Sequence, residues 1–348
     1  MEEQKIIVRM PNWIGDLVMA TPILADLRAH FPKAEITAMC RRPLSALLEK
    51  DPNVDELFSF SKSVGSIRRN EKRNVIEKLV KGRYDIGVIL PNSLSSAWLF
   101  AQGSVKRRIG FKGNFRRLLL TDPLPFPKER KAQHLTLTYK ALLKPLGIPI
   151  SQTPPALFVA SEEVAHAWEV LGRFGVDKGI PLVGINPGAA YGSAKCWLPE
   201  RFREVTEKIL ETDKDLNILY FGDKSHESLI KEICQGLPGR VINLAGVTNL
   251  RELMALTSLC RIFLTNDSGP MHIADALSTP LVALFGSTDE VVTGPYSQAK
   301  GVIHKHVACS PCFRRTCPID FRCMKGIESD EVCQKIAALF EGSYVEKI

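Results

Sequence analysis

The 348-residue chain has no run of about 18 consecutive apolar residues, which predicts no membrane-spanning helix. Its acidic start, Met1-Glu2-Glu3, leads at once into a strand-like run, which predicts no signal peptide. Gly-x-Gly-x-x-Gly is missing after the first strand, which disfavours dehydrogenase chemistry, and no Gly-Lys-Ser/Thr closes the glycine loop that leads to Lys195, so that loop is not a Walker phosphate loop. Repeats, low-complexity tracts and recognisable RNA- or DNA-binding modules are likewise missing.

What is present is an ordinary globular composition, 45% hydrophobic and 24% charged, long enough for two domains that each bury a core. Nine cysteines is an odd number, and reduced thiols in the cytosol are the expectation. The charge is uneven. Residues 1–150 carry 26 Lys+Arg against 14 Asp+Glu, a net of +12, and the remainder carries 20 against 24, a net of −4, which together give +8. The basic residues gather at Lys62, Arg68, Arg69, Lys72 and Arg73, and again at Lys106, Arg107, Arg108, Lys112, Arg116 and Arg117. Such stripes suit a polyanionic partner, whether nucleic acid, an anionic membrane or a phosphorylated substrate, or they are merely a solvated face.

Short apolar runs alternate with amphipathic stretches. Strands are expected at 6–8, 35–39, 84–90, 181–186, 216–221, 241–244, 261–264 and 281–285, with helices from Asp16 to His30 and from Pro43 to Glu49 and a helix ending near Leu146. Repeated βα units imply parallel sheets covered by helices on both faces. The break between halves is expected near 152–160, around Thr153-Pro154-Pro155, which gives domains 1–155 and 156–348 that face one another across a cleft. In doubly wound sheets ligands bind beyond the carboxyl ends of the strands, so the residues just after each strand carry the functional information.

Three such segments are unusual. After the first strand, Pro11-Asn12-Trp13-Ile14-Gly15-Asp16 puts a carboxylate at a helix start, where it is either an N-cap or a base able to take a proton from a hydroxyl. Asn186-Pro187-Gly188-Ala189-Ala190 leads through Tyr191 and Ser193 to Lys195, so that small residues admit a ligand to the backbone while Lys195 supplies charge. Thr265-Asn266-Asp267-Ser268-Gly269-Pro270-Met271-His272 opens a helix at about Pro270, whose free N–H groups suit a diphosphate. Asp267 is expected to hold that loop by accepting backbone N–H groups. A further loop, 221–227, offers carboxylates to ribose hydroxyls.

The Gly15-Asp16 turn, the Asn-Pro-Gly loop with Lys195 and Trp197, and above all Asp-Ser-Gly-Pro-Met-His at 267–272 resemble the ADP-heptose:lipopolysaccharide heptosyltransferases, glycosyltransferase family 9, over residues 5 to about 335. Pro91-Asn92-Ser93 and Cys309-Ser310-Pro311-Cys312 point to the members that add the second heptose. The resemblance implies an α/β GT-B architecture of two Rossmann-like domains, an N-terminal one for the acceptor and a C-terminal one for the nucleotide sugar, with the last helix able to pack back on the first domain. It also implies inversion at the anomeric carbon without a required cofactor or catalytic metal.

The implied catalytic residues are Asp16 as base and Lys195. For the donor, ADP-L-glycero-β-D-manno-heptose, the implied residues are Gly188, Ala189, Ala190, Lys195, Glu227, Asp267, Ser268, Gly269 and His272. For the acceptor, a Kdo-containing, mono-heptosylated lipid A core, they are Asn12, Trp13, Gly15, Asn92 and Ser93. Ala189 and Ala190 stand where relatives place hydroxyl residues, so those contacts fall to backbone N–H groups, Tyr191 or Ser193. The implied location is cytoplasmic, peripheral to an anionic inner membrane, with no nucleic-acid partner.

First- and third-step heptosyltransferases remain alternatives, as do a GT-B nucleotide-sugar 2-epimerase and a basic RNA-binding protein. Cys309, Cys312, Cys317 and Cys323 fall within fifteen residues and offer a zinc or iron–sulfur ligand set. Their spacing after the first pair fits no standard site, which favours reduced thiols.

Overall fold

The computed structural model describes residues 4–61 and 67–345, excluding the side chains of 67–69 and 341–345. Of the first basic group, Lys62 and the side chains of Arg68 and Arg69 therefore lie outside the described residues. The chain divides into two compact units, Met1–Phe158 and Val159–Ile348.

The first unit is one parallel sheet of β1 (Lys5–Arg9), β2 (Glu35–Arg41), β3 (Glu56–Phe60), β4 (Ile86–Ile89), β5 (Arg107–Phe111) and β6 (Asp122–Leu124), in the order β3-β2-β1-β4-β5-β6. Every pairing is parallel, with Ile7 of β1 opposite Thr37 on one side and Gly87 on the other. Ile6, Ile7 and Val8 are fully buried, as a strand covered on both faces requires. The second unit repeats the plan with β7 (Leu182–Asn186), β8 (Asn217–Tyr220), β9 (Val241–Asn243), β10 (Ile262–Asn266), β11 (Leu281–Phe285) and β12 (Val302–His304), ordered β12-β11-β10-β7-β8-β9. In both sheets the strand order reverses between the first and fourth strands, β1/β4 and β7/β10. Loops leaving that point splay to opposite faces and open a crevice at the carboxyl ends.

Helices cover the sheets by the spacing of their apolar residues. Pro199–Thr212 buries Phe202, Val205, Thr206, Ile209 and Leu210, an i, i+3, i+4, i+7, i+8 stripe. The final helix, Ser329–Val345, packs on Pro199–Thr212 and on β10 and β11 of its own unit and buries Val332 and Ile336. Among the described residues no helix is long and apolar enough to cross a membrane.

Three local expectations change. The helix expected from Asp16 to His30 is two helices, Ile14–Met19 and Pro22–His30. Pro22 has no N–H to continue the first, and the Thr21 hydroxyl instead donates to the carbonyl of Val18 at 2.9 Å. Residues 44–48 form a short 3₁₀ turn rather than an α-helix. The strands β3, β5, β6 and β12 carry polar or basic residues that hid them from an apolar-run reading.

The second basic group is not one solvated stripe. Lys106 pairs with Asp85 and Arg107 with Asp122, each at 2.8 Å, and Arg116 is fully buried. The Arg116 guanidinium reaches the carbonyls of Phe111 and Pro91 and the side-chain oxygen of Asn92. Burial lowers its pKa to about 10.

The end of the first unit is tied down by a buried lysine. Lys140, 1% exposed, donates to both oxygens of Ser151 and to the carbonyl of Thr153 at 2.7–2.9 Å. Asp26, its counter-charge at 4.0 Å, accepts the hydroxyls of Ser151 and Thr153. Lys140→Met leaves that carboxylate without its counter-charge and two carbonyls without their donor. It is expected to cost about 3–5 kcal/mol, the usual penalty for breaking a buried ion pair from one side, measured as a shift of the denaturant midpoint for the 1–158 unit.

Candidate functional site

In the first unit a cavity of about 320 Å³ opens at the carboxyl ends of β1 and β4, lined among others by Asn12, Trp13, Asp16, Asn92, Thr138 and Tyr139. Asp16 is the third residue of its helix, not the cap; Trp13 holds that position without a side-chain bond and is 62% exposed. A carboxylate in the first turn sits well with the helix dipole, and this one is left to face the cavity. Its Oδ1 accepts the hydroxyl of Tyr139 at 3.1 Å. Burial, and then the adjacent Asp16 carboxylate, push the Tyr139 phenol well above its ordinary pKa, so it stays protonated and stays a donor.

Two buried arginines, invisible to motif reasoning, orient the asparagines. Arg9, 4% exposed at the end of β1, donates to Asn12 Oδ1 at 2.6 Å, and Arg116 donates to Asn92 Oδ1 at 2.9 Å. Burial lowers the pKa of Arg9 to about 10. Both amide groups therefore point their nitrogens away from these donors. The sequence held one signal for Arg9, a charge closing a fully apolar strand. Gly15 and Ser93 are not among the lining residues; Ser93 caps the helix Leu94–Gln102 by accepting the N–H of Ser96 at 3.2 Å.

In the second unit the loops after β7 and β10 are stitched together by asparagine side chains. Asn186 Nδ2 donates to the carbonyl of Gly188 at 3.0 Å and to Ser268 Oγ at 3.1 Å. Asn266 Nδ2 donates to the carbonyl of Pro187 at 2.6 Å, and its oxygen accepts the N–H of Trp197 at 2.9 Å. Trp197 is a packing residue, 2% exposed, with its indole N–H on the carbonyl of Ile327. These bonds bring Lys195 Nζ to 2.5 Å from Asp267 Oδ2, the oxygen that also takes the Thr288 hydroxyl. Asp267 is 3% exposed. Its partners are thus a lysine and a threonine, where sequence alone suggested backbone amides. Ser268 turns its hydroxyl to Thr265 and Asn186, so no side chain caps the helix Gly269–Ala276 and Pro270 opens its first turn.

Gly188 lies against the His226 ring, where an added Cβ would come within 2.6 Å, and His226 Nδ1 stands 2.9 Å from Asp223. Those contacts join the 223–227 loop to the site and leave Glu227 exposed at the head of the helix Glu227–Cys234. Ala189 is buried, Ala190 exposed, and His272 lies one turn into its helix at 6% exposure. The Tyr191 hydroxyl donates to the carbonyl of Phe313 at 2.9 Å, while its ring faces Lys195 at 5.0 Å.

The cysteine-rich segment braces this loop from behind, because the carbonyl of Arg315 accepts the N–H of Ala194 at 2.9 Å. Cys309, Cys312, Cys317 and Cys323 are free thiols lining one cavity of about 200 Å³ with Arg314 and Arg322.

Comparison with known proteins places these features. The profile of glycosyltransferase family 9 (heptosyltransferase) matches residues 72–321. The chain is 32% identical to lipooligosaccharide heptosyltransferase 2 of Haemophilus ducreyi over 86% of its own length and 88% of that protein. It is 31% identical to lipopolysaccharide heptosyltransferase 2 of Escherichia coli K12, with 86% and 87% covered. The solved structure of E. coli ADP-heptose lps heptosyltransferase II superposes with a TM-score of 0.83 at 27% identity, covering 98% of this chain and all of that one. The fold is accordingly α/β of the GT-B class.

The Lys195 loop depends on Gly192, whose φ is +153° and whose added Cβ would strike the Arg315 carbonyl at 2.4 Å. Gly192→Ala is expected to displace the loop and lower the thermal midpoint by about 5 °C, from a strain of roughly 1–3 kcal/mol, with the Lys195–Asp267 pair broken in a crystal structure of the variant.

Proposed function

Because the chain belongs to glycosyltransferase family 9, the heptosyltransferases, we propose that it moves L-glycero-D-manno-heptose from ADP-heptose onto the heptose of a lipopolysaccharide inner core. The observation that carries this reading is that each unit holds one half of the chemistry. One holds an oriented carboxylate in a cavity flanked by asparagine amides, and the other holds a lysine beside a helix start that no side chain caps.

Asp16 takes the proton from an acceptor hydroxyl while that oxygen attacks the anomeric carbon from the face opposite the departing ADP, and a single displacement inverts the configuration. Tyr139 keeps the carboxylate pointed at the hydroxyl. Asn12, Trp13 and Asn92 bind the acceptor sugar, and Gly15 and Ser93 shape the two turns that present it. Negative charge grows on the leaving diphosphate. Lys195 and the first-turn N–H groups at Ser268 and Gly269 are the preorganised donors for that charge, and Asp267 fixes Lys195 beside them. Gly188, Ala189 and Ala190 bring backbone close to the donor, Glu227 takes the ribose hydroxyls, and His272 supports the helix start from one turn inside.

The acceptor is proposed to be the Kdo-containing, mono-heptosylated lipid A core, reached by peripheral attachment to an anionic membrane. Phe115 and Leu118 support that attachment: they are 97% and 94% exposed on a loop that also carries Lys112 and Arg117. Apolar side chains flanked by cations fit the boundary of acyl chains and anionic headgroups.

Four outcomes test the proposal. Incubation with ADP-heptose should heptosylate the mono-heptosylated core and leave Kdo₂-lipid A untouched; transfer to the latter instead would move the chain to the first step. Asp16→Asn should lower kcat by about 10²–10⁴-fold with ADP affinity retained. Tyr139→Phe removes a donor that favours the ionised carboxylate, so the acidic limb of kcat/KM should move to higher pH. Phe115→Ser with Leu118→Ser should weaken binding to vesicles of anionic lipid by about tenfold or more, at roughly 1.5–3 kcal/mol per buried side chain, without changing turnover of a lipid-free acceptor.

A further inference from the structure

Beyond the β11 strand three groups of metal-binding type converge. Glu290 opens the short helix Glu290–Thr293, His304 ends β12, and His306 follows it. One ligand atom from each lies within 4.8 Å of the other two. His304 Nδ1 is 2.6 Å from Glu290 Oε2, and His306 Nε2 is 3.4 Å from Glu290 Oε1.

The hydrogen bonds of Ser310 set the direction of its contact with His304. Ser310 spends its only hydroxyl proton on the carbonyl of Gly286, so at its contact with His304 Nε2, 2.7 Å away, the serine oxygen must accept. His304 Nε2 therefore carries a hydrogen, and Nδ1 is the ring nitrogen left facing the carboxylate, 2.6 Å from Oε2. Two electron-rich atoms that close need positive charge between them. A proton would serve one imidazole, but here two imidazoles converge on the same carboxylate, with ring centres 4.2 Å apart.

From this geometry we infer that Glu290, His304 and His306 form a binding site for a divalent first-row transition metal, with zinc the cation that two imidazoles and a carboxylate fit best. A three-ligand set of this kind leaves a further position for water. The Ser310–Gly286 relay is the outer hydrogen bonding that metal-bound imidazoles ordinarily have, and it presets the ring. His306, whose side chain is 70% exposed, gives the ion a way in, while His304, at 3%, is the buried end. The bound ion would pin the loop after β11 to the end of β12. That loop carries Thr288, the hydroxyl partner of Asp267. The site is made of nitrogen and oxygen donors and is separate in composition from the four cysteines nearby.

The full-length chain, stripped with a chelator, is titrated with Co²⁺ and followed by absorption and by thermal unfolding. One equivalent of Co²⁺ should give d–d bands without a thiolate-to-cobalt charge-transfer band and raise the unfolding midpoint. His306→Ala, at an exposed position that folding does not need, and Glu290→Gln should each weaken that binding at least about tenfold and abolish the stabilisation. Uptake with thiolate charge transfer alone, uptake unchanged in both variants, or no uptake would overturn the inference. None of these readouts uses sugar transfer, so a failure here leaves the proposed reaction standing, and the reverse.

Discussion

A carboxylate buried at the end of β10 sets the charge of the second unit's site. Asp267 is 3% exposed, and Lys195 Nζ stands 2.5 Å from its Oδ2 while the Thr288 hydroxyl donates to the same oxygen. A lysine on the twelve-residue connection 187–198 has many rotamers to lose, and this pairing fixes one before any ligand arrives. On the proposed reading a ligand would meet a lysine already in place beside the helix N–H groups, the preorganisation that a leaving diphosphate needs. Without Lys195 the same carboxylate would repel it.

The remaining architecture serves that arrangement twice over. Each unit has the same strand order, and each places its working loops on either side of the point where that order reverses. In the second unit the loops after β7 and β10 are locked to each other by Asn186 and Asn266, whose amides satisfy the carbonyls of Gly188 and Pro187. In the first, the loops after β1 and β4 are held by Arg9 and Arg116, buried guanidinium groups that spend their hydrogen bonds on backbone carbonyls and asparagine side chains. Rigid strands thus deliver side chains, while buried polar groups orient them.

Sequence reasoning reached strands such as β1, β7, β10 and β11, because burial on both faces writes itself as a short apolar run. It missed β5, whose Arg107 and Arg108 belong to a strand that spends its charges locally, and so it misread a structural cluster as part of a basic stripe. Asp16, Lys195, Asp267 and Ser268 were legible because they follow apolar strands in small-residue turns. Tyr139 was not, since it comes from a helix 123 residues away and only the fold brings it to Asp16. The Glu290–His304–His306 cluster was hidden for the same reason: Glu290 and His304 follow and end different strands, and no linear spacing joins them.

The central claim is that Asp267 acts through Lys195, and a double-mutant cycle on ADP affinity addresses it most directly. Lys195→Met, Asp267→Asn and the double variant are compared by calorimetry at one ionic strength. The account predicts strong non-additivity, a coupling of about 1–3 kcal/mol, because removing either partner disables the other. Effects that simply add would show that the two residues serve the diphosphate independently, and would contradict it.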